Sequence, residues 1–329
     1  MQDTSFISGE TRFVCLLGNP TGHSLSPAMH NLSFGLLGID AVYTCFDVDN
    51  AHLQSVMAAF RAMERWDGCN VTMPCKQAII PCLDGLDRAA ELIGAVNVVK
   101  KEDGRAVGYN TDGVGFVASL YAQGVQVRGA RMVLLGPGGA GSAILTQAAL
   151  DGAARIDVFA RVGGSSYAKA QGLAECVAMS AGCSIELHVL PTPAEARSAG
   201  NSSIASGSGS GDSESLDGIE AECGAAPGLG ALEELATCIQ EADILVNATP
   251  IGMGEGCEDS PIDARLIKPG MVVADAIYHP RETKLICDAR ERGCTVVPGL
   301  GMLLHQAAAG ERIWFGAEMP VDEIERRLF

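Results

Sequence analysis

Four short stretches of the 329-residue chain carry side chains suited to chemistry. The first, Gly18-Asn19-Pro20-Thr21-Gly22-His23-Ser24-Leu25-Ser26-Pro27, sets the hydroxyls of Ser24 and Ser26 at the mouth of an expected helix. Both can donate to a carboxylate there without adding fixed charge, although hydroxyls at a helix start more often serve as plain caps. The second, Gly68-Cys69-Asn70-Val71-Thr72-Met73-Pro74-Cys75-Lys76, leaves a strand and enters a helix, projecting Thr72 and Lys76 from one segment. A lone lysine in such a place is ordinarily a surface charge. It becomes a chemical group only where a carboxylate and a cleft hold it. Asn97 and Asp112, the latter in Gly108-Tyr109-Asn110-Thr111-Asp112-Gly113, supply further polar groups.

The fourth stretch is Gly136-Pro137-Gly138-Gly139-Ala140-Gly141, which follows an apolar strand and opens a helix. Glycines there let the backbone turn tightly and approach a pyrophosphate, whose charge the helix N-terminus stabilises. The strand–turn–helix context makes this a dinucleotide-binding signature rather than a plain turn. The next strand ends at Arg161, about 20 residues on, where a site preferring NAD usually carries an acid. Arg161 is either a partner for a 2′-phosphate or a solvated charge.

These groups need elements to hold them. Strands are expected at Phe13 to Leu17, Ala41 to Val48 and Gly68 to Val71, with helices from Pro27 to Leu37, capped by Ser26, and from His52 to Met63. Two extended stretches between Val96 and Asn110 flank Glu102-Asp103-Gly104, a hairpin signal. After a helix from Asp112 to Gln123, strands at Met132 to Leu135, Ile156 to Ala160, Ser184 to Leu190, Ile244 to Asn247, Met271 to Ala276 and Cys294 to Val297 alternate with helices. Gly301 to Phe329 reads as helical. The cadence is that of a parallel-sheet α/β protein. Residues 200 to 218 (GNSSIASGSGSGDSESLDG) break it with a Gly/Ser-rich acidic tract too poor in apolar side chains to offset ordering entropy. A disordered insertion is expected at 193–228.

Composition narrows the classes. A net charge of −17 without any Lys/Arg block argues against nucleic acid as a partner. No apolar run reaches the roughly 18 residues of a membrane helix, and the polar N-terminus lacks a signal-peptide pattern. Twelve cysteines without CxxC pairs read as reduced thiols in a cytoplasmic protein, with no metal site expected.

The strings GNPTGHSLSPAMHN, NVTMPCK, GAVN, GYNTDGVGF, GPGGAG, NATPIGM (247–253) and GLGMLLHQAA (299–308) occur in order. Together they resemble the shikimate dehydrogenase family, most closely its quinate/shikimate dehydrogenase branch, over residues 12 to 327 apart from the insertion. The resemblance implies an N-terminal α/β substrate domain (11–115 with 302–329), a Rossmann-type NAD(P)-binding domain (116–301), and a cleft between them. It implies Lys76 and Asp112 as the catalytic pair. Ser24, Ser26 and Tyr278 would bind the substrate carboxylate, and Thr72, Asn97 and Gln306 its ring hydroxyls. Gly136, Gly138, Gly139, Ala140, Gly141, Arg161, Thr249 and Gly299 match cofactor contacts. The implied reaction is reversible reduction of 3-dehydroshikimate, with quinate oxidation or ligand sensing without turnover as alternatives, in a monomer or homodimer. Ala160-Arg161-Val162 replaces the Asn-Arg-Thr common among NADP-preferring members, and Gly163 stands where the quinate/shikimate branch often has an aspartate. The expectation is use of both cofactors, with a modest NADP preference. Val98 stands where the family commonly has Thr.

Overall fold

The computed structural model describes residues 7–161, 165–191 and 229–329. The expected insertion at 193–228 lies outside the described residues.

The N-terminal half builds one six-stranded sheet. Its elements are β1 (Arg12–Gly18), α1 (Ser26–Leu37), β2 (Ala41–Asp47), α2 (Leu53–Ala62), β3 (Trp66–Val71), α3 (Cys75–Ala78), β4 (Gly85–Leu86), α4 (Arg88–Ile93), β5 (Val98–Glu102) and β6 (Arg105–Tyr109). The strand order is β2-β1-β3-β5-β6-β4. β1 runs parallel to β2 and β3, but β5 is antiparallel to both β3 and β6. This half is therefore mixed rather than parallel. Asp103 and Gly104 both take positive φ (51° and 78°), as a tight hairpin turn requires, and a hairpin reverses the chain.

The C-terminal half begins with α5 (Asp112–Ala122) and continues through β7 (Arg131–Leu135), α6 (Gly139–Leu150), β8 (Arg155–Ala160), α7 (Ser165–Ala181), β9 (Ser184–Val189) and α8 (Leu229–Glu241). Next come β10 (Ile244–Asn247), β11 (Val272–Asp275), α9 (Lys284–Glu291), β12 (Thr295–Val297), α10 (Leu300–Phe315) and α11 (Val321–Leu328). The sheet order is β12-β11-β10-β7-β8-β9, parallel throughout. This is the doubly wound dinucleotide-binding order, whose ligand crevice opens where the winding reverses, between β7 and β10. Helices cover both faces, so the central strands β7, β10 and β11 read as near-continuous apolar runs. Within β7, Met132 and Leu134 join one core with Ile144 and Ala148, while Val133 and Leu135 join the other with Leu235 and Ile239.

Two local expectations are corrected. Leu25, not Ser26, is the N-cap of α1, and no side chain caps that helix. Pro27 removes one backbone donor from the first turn, and the Ser24 hydroxyl instead accepts from the Ser26 N–H at 3.2 Å. The C-terminal tail is two helices, because Gly316 takes a left-handed conformation and ends the first. Separately, β4 and α4, not expected from the sequence, are too short for their periodicity to be legible. No helix among the described residues is long and apolar enough to cross a membrane.

Candidate active site

Glycine spacing decides where Asp112 sits. α5 starts at Asp112 and lies between α6 and α10. A Cβ on Gly113 would meet the Ala143 carbonyl and, at 2.7 Å, Gln147 Cβ; one on Gly115 would meet Met302 O at 2.7 Å. Only hydrogen at these two positions lets α5 approach both helices. That packing brings the first residue of α5 beside Gln306 of α10. A carboxylate in a helix's first turn is also favoured by the helix dipole.

Lys76 reaches the same point from the other side. β3 is buried along its length and delivers the chain to Thr72. The Thr72 N–H bonds to Leu17 O at 2.8 Å. α3 then turns the lysine inward, and its Nζ donates to Asp112 Oδ2 at 2.6 Å. The carboxylate and cleft that a lone lysine needs are both present.

A buried amide network fixes the aspartate. Asn97 Nδ2 donates to Asp112 Oδ1 at 2.7 Å and to Thr111 Oγ1 at 3.0 Å. Asn97 Oδ1 accepts from the Thr111 N–H at 2.7 Å. The Thr111 hydroxyl donates to Gln306 O at 3.2 Å, tying α10 to the start of α5. Behind Asn97, Tyr43 donates to Asn70 Oδ1 at 2.7 Å, and Asn70 Nδ2 donates to the Asn97 carbonyl at 3.1 Å. Both oxygens of Asp112 are thus engaged, so its orientation is held from two directions.

Around this pair opens a cavity of about 450 Å³. Ser24, Ser26, Thr72, Lys76, Asn97, Asp112, Tyr278 and Gln306 all line it, as do Gly139 and Ala140 at the start of α6. The eight residues expected from sequence to hold or transform substrate therefore face one space, shared with the glycine-rich turn. Ser24 and Ser26 flank the N-terminus of α1, whose positive dipole end suits an anion beside the two hydroxyls.

The glycine-rich residues divide between packing and presentation. Gly136 takes φ +87°, and a Cβ there would meet Thr249 Cγ2 at 2.7 Å. A Cβ on Gly141 would run into the Gly136 carbonyl. These two close the turn. Gly138 and Gly139 have open space where a Cβ would be. Gly138 caps α6 without a side-chain bond, and no acid occupies the helix's first turn. Thr249 is buried under Gly136 and bonds through its hydroxyl to Asn247 Oδ1 at 2.7 Å. Arg161 is exposed just past the end of β8, outside this cavity. Gly299 does not line the cavity either; a Cβ there would collide with the Ile277 backbone, so its place is in packing at the start of α10.

The family's substrate-binding domain pattern matches residues 16–99, and its C-terminal domain pattern, described as that of shikimate 5′-dehydrogenase, matches 299–329. The NADP(+) shikimate dehydrogenase of Alkaliphilus metalliredigens is 36% identical over 97% of this chain and 97% of its own. That of Listeria innocua is 37% identical over 99% and 98%. The chain belongs to the shikimate dehydrogenase family. A solved shikimate 5-dehydrogenase of Listeria monocytogenes, in complex with shikimate and NAD, superposes with a TM-score of 0.84 at 36% identity, covering 99% of both chains.

In this shikimate dehydrogenase family member, sequence reasoning passed over Thr111, Asn70 and Asp275. Thr111 stands inside the GYNTDG string, so its position was in view, but its bonds to Asn97 and Gln306 join residues far apart in sequence. Asp275, at the end of β11, is buried and accepts from Asn247 Nδ2 at 3.1 Å, the Ile277 N–H at 2.9 Å and the Thr283 hydroxyl at 2.7 Å. It braces the loops carrying Thr249 and Tyr278. Burial pushes its carboxyl up to about 6, against the pull of those donors.

Proposed function

We propose that this chain catalyses the reversible NAD(P)-dependent reduction of 3-dehydroshikimate to shikimate, a step of aromatic amino acid biosynthesis, with Lys76 as the proton donor and Asp112 as its partner. The observation that carries the reading is the Lys76–Asp112 contact of 2.6 Å in a cavity lined both by the serines at α1 and by the first residues of α6. The two hydroxyls and the helix N-terminus suit a substrate carboxylate. Asn97, Thr72 and Gln306 suit ring hydroxyls. Residues 11–115 with 302–329 form the substrate domain and 116–301 the nucleotide domain. A cytoplasmic setting fits a chain whose described cysteines are all unpaired.

The atoms at the start of α6 suit a dinucleotide cofactor. The open space at Gly138 and Gly139, the uncapped α6 N-terminus and the lack of an acid there suit a pyrophosphate. The nicotinamide, when bound, supplies the hydride or takes it back. Lys76 Nζ delivers a proton to the oxygen that becomes the hydroxyl, and recovers it in oxidation. Asp112 accepts from Nζ and holds it toward the cavity. Asn97 keeps Asp112 from turning away.

Steady-state rates of the purified protein on shikimate and quinate, each with NAD and NADP, test the reading. Turnover of shikimate with kcat/KM well above that for quinate is the expected result. A reversed ratio would make quinate the substrate. Binding of shikimate without turnover would make the chain a sensor.

A further inference from the structure

We propose a divalent transition-metal site in the nucleotide half, formed by Asp157 of β8, His188 of β9 and Cys238 of α8, apart from the active-site cavity. The liganding atoms of the three lie within 4.8 Å of one another. All three residues are buried. Zinc-type bonds of about 2.0–2.3 Å put tetrahedral ligands roughly 3.3–3.6 Å apart, so a slight opening of the His188–Asp157 pair, now at 2.9 Å, and an approach of Cys238 Sγ by up to about 1 Å would form the set.

The histidine gives the reason to expect a cation. Its Nε2 faces Asp157 Oδ1 at 2.9 Å, and its Nδ1 faces Glu234 Oε1 at 2.9 Å. A neutral imidazole carries one N–H, so it can satisfy only one of these carboxylates. The other nitrogen would set its lone pair against an anionic oxygen. The arrangement is satisfied by a cation at Nε2, either a second proton or a metal ion. Cys238 favours the metal, because a thiol adds nothing to an imidazolium but is a strong ligand as thiolate. Burial pushes this thiol up to about 11 in the apo chain.

The surroundings have the form that metal sites use. Glu234 accepts at Nδ1, which would hold the ring's tautomer and aim Nε2 at the ion. Arg155 grips Asp157 through Nε and Nη2 (2.8–3.1 Å) and fixes the carboxylate's direction. Binding displaces the Cys238 Sγ proton and takes the lone pair of His188 Nε2, with the ring N–H on Nδ1 toward Glu234, leaving Asp157, thiolate and a dication balanced. The clip would join β8 and β9 to the helix that resumes the described chain at residue 229. Closing so long a stretch stabilises a fold more than a local contact does.

Cobalt(II) added to the chelator-treated full chain provides the test, read by thiolate-to-cobalt charge transfer and tetrahedral visible bands. The expected result is saturation at one ion per chain, displacement by zinc, and a zinc-dependent rise in Tm. Cys238→Ser should abolish the charge-transfer band and the Tm response while leaving turnover unchanged. Glu234→Gln alters a half-exposed side chain and should weaken affinity about 10–100-fold in a chain that folds normally, which serves if the cysteine variant does not fold. Failure to saturate at one ion per chain would overturn the site. So would a band that survives Cys238→Ser, or unchanged affinity in Glu234→Gln; the cluster is then a proton-bridged ion pair.

Discussion

Lys76 and Asp112 meet at 2.6 Å although one lies in a four-residue helix after β3 and the other begins α5. The second oxygen of the carboxylate is taken by Asn97. The amine is therefore held by a group that is itself held, which keeps a flexible lysine within reach of a reacting oxygen.

Replacing Lys76 by Ala should lower kcat about 10²–10⁴-fold, the usual contribution of a general acid–base residue. Cofactor affinity should stay near wild type, because the glycine-rich turn belongs to separate elements. Stopped-flow turnover and a fluorescence titration with NADPH check both halves. More than half of wild-type kcat at saturating substrate would remove Lys76 from the mechanism.

Gly141→Ala should weaken cofactor binding and lower Tm together. The added methyl meets the Gly136 carbonyl, a backbone atom that cannot rotate aside. Overpacking of this kind costs about 1–3 kcal/mol. Calorimetric binding with a melting curve reads the pair of effects; wild-type values in both would mean that the turn relaxes freely.

Both NAD and NADP should support turnover, with a modest preference for NADP that Arg161→Ala abolishes. A charge-assisted phosphate hydrogen bond is worth roughly 1.5–3 kcal/mol, and exposure of the arginine reduces it. The ratio of kcat/KM values for the two cofactors should lie between a few-fold and about a hundred-fold. An NADP preference that survives the substitution would assign Arg161 to the solvated surface.

Asp275 should make stability fall as pH rises. Its carboxyl moves from 3.8 to about 6 on folding because burial disfavours the charge. The folded chain then holds the proton more tightly than the unfolded chain. The group's contribution is full below about pH 4 and is lost as pH climbs through about 6, about 3 kcal/mol in all. Urea unfolding at about pH 5 and about pH 7.5 should show wild type losing about 1–2 kcal/mol relative to Asp275→Asn. Parallel pH profiles in the two proteins would show that the donors, not burial, govern this carboxyl.

The central strands β7, β10 and β11 of the nucleotide domain were legible because burial on both faces makes them near-continuous apolar runs. The glycine-rich turn was legible because strand, turn and helix adjoin in sequence. Asp103-Gly104 announced the hairpin through its need for positive φ. Less was visible where several interactions compete locally. Ser26 has the residue type of an N-cap, yet Leu25 takes that position.

By itself, the sequence determined the alternation of strands and helices, the turn that suits a pyrophosphate, and the ordered motifs that mark the family. These depend on neighbouring residues or on residue order, and both are written along the chain. Only the tertiary structure decided that Lys76, Asn97, Asp112 and Gln306 share one cavity, that Gly299 packs a helix start, and that Asp157, His188 and Cys238 converge. Such meetings depend on how closely helices and strands approach. Contacts such as those Gly113 and Gly115 permit are set by the packing of distant elements, to which local spacing carries no guide.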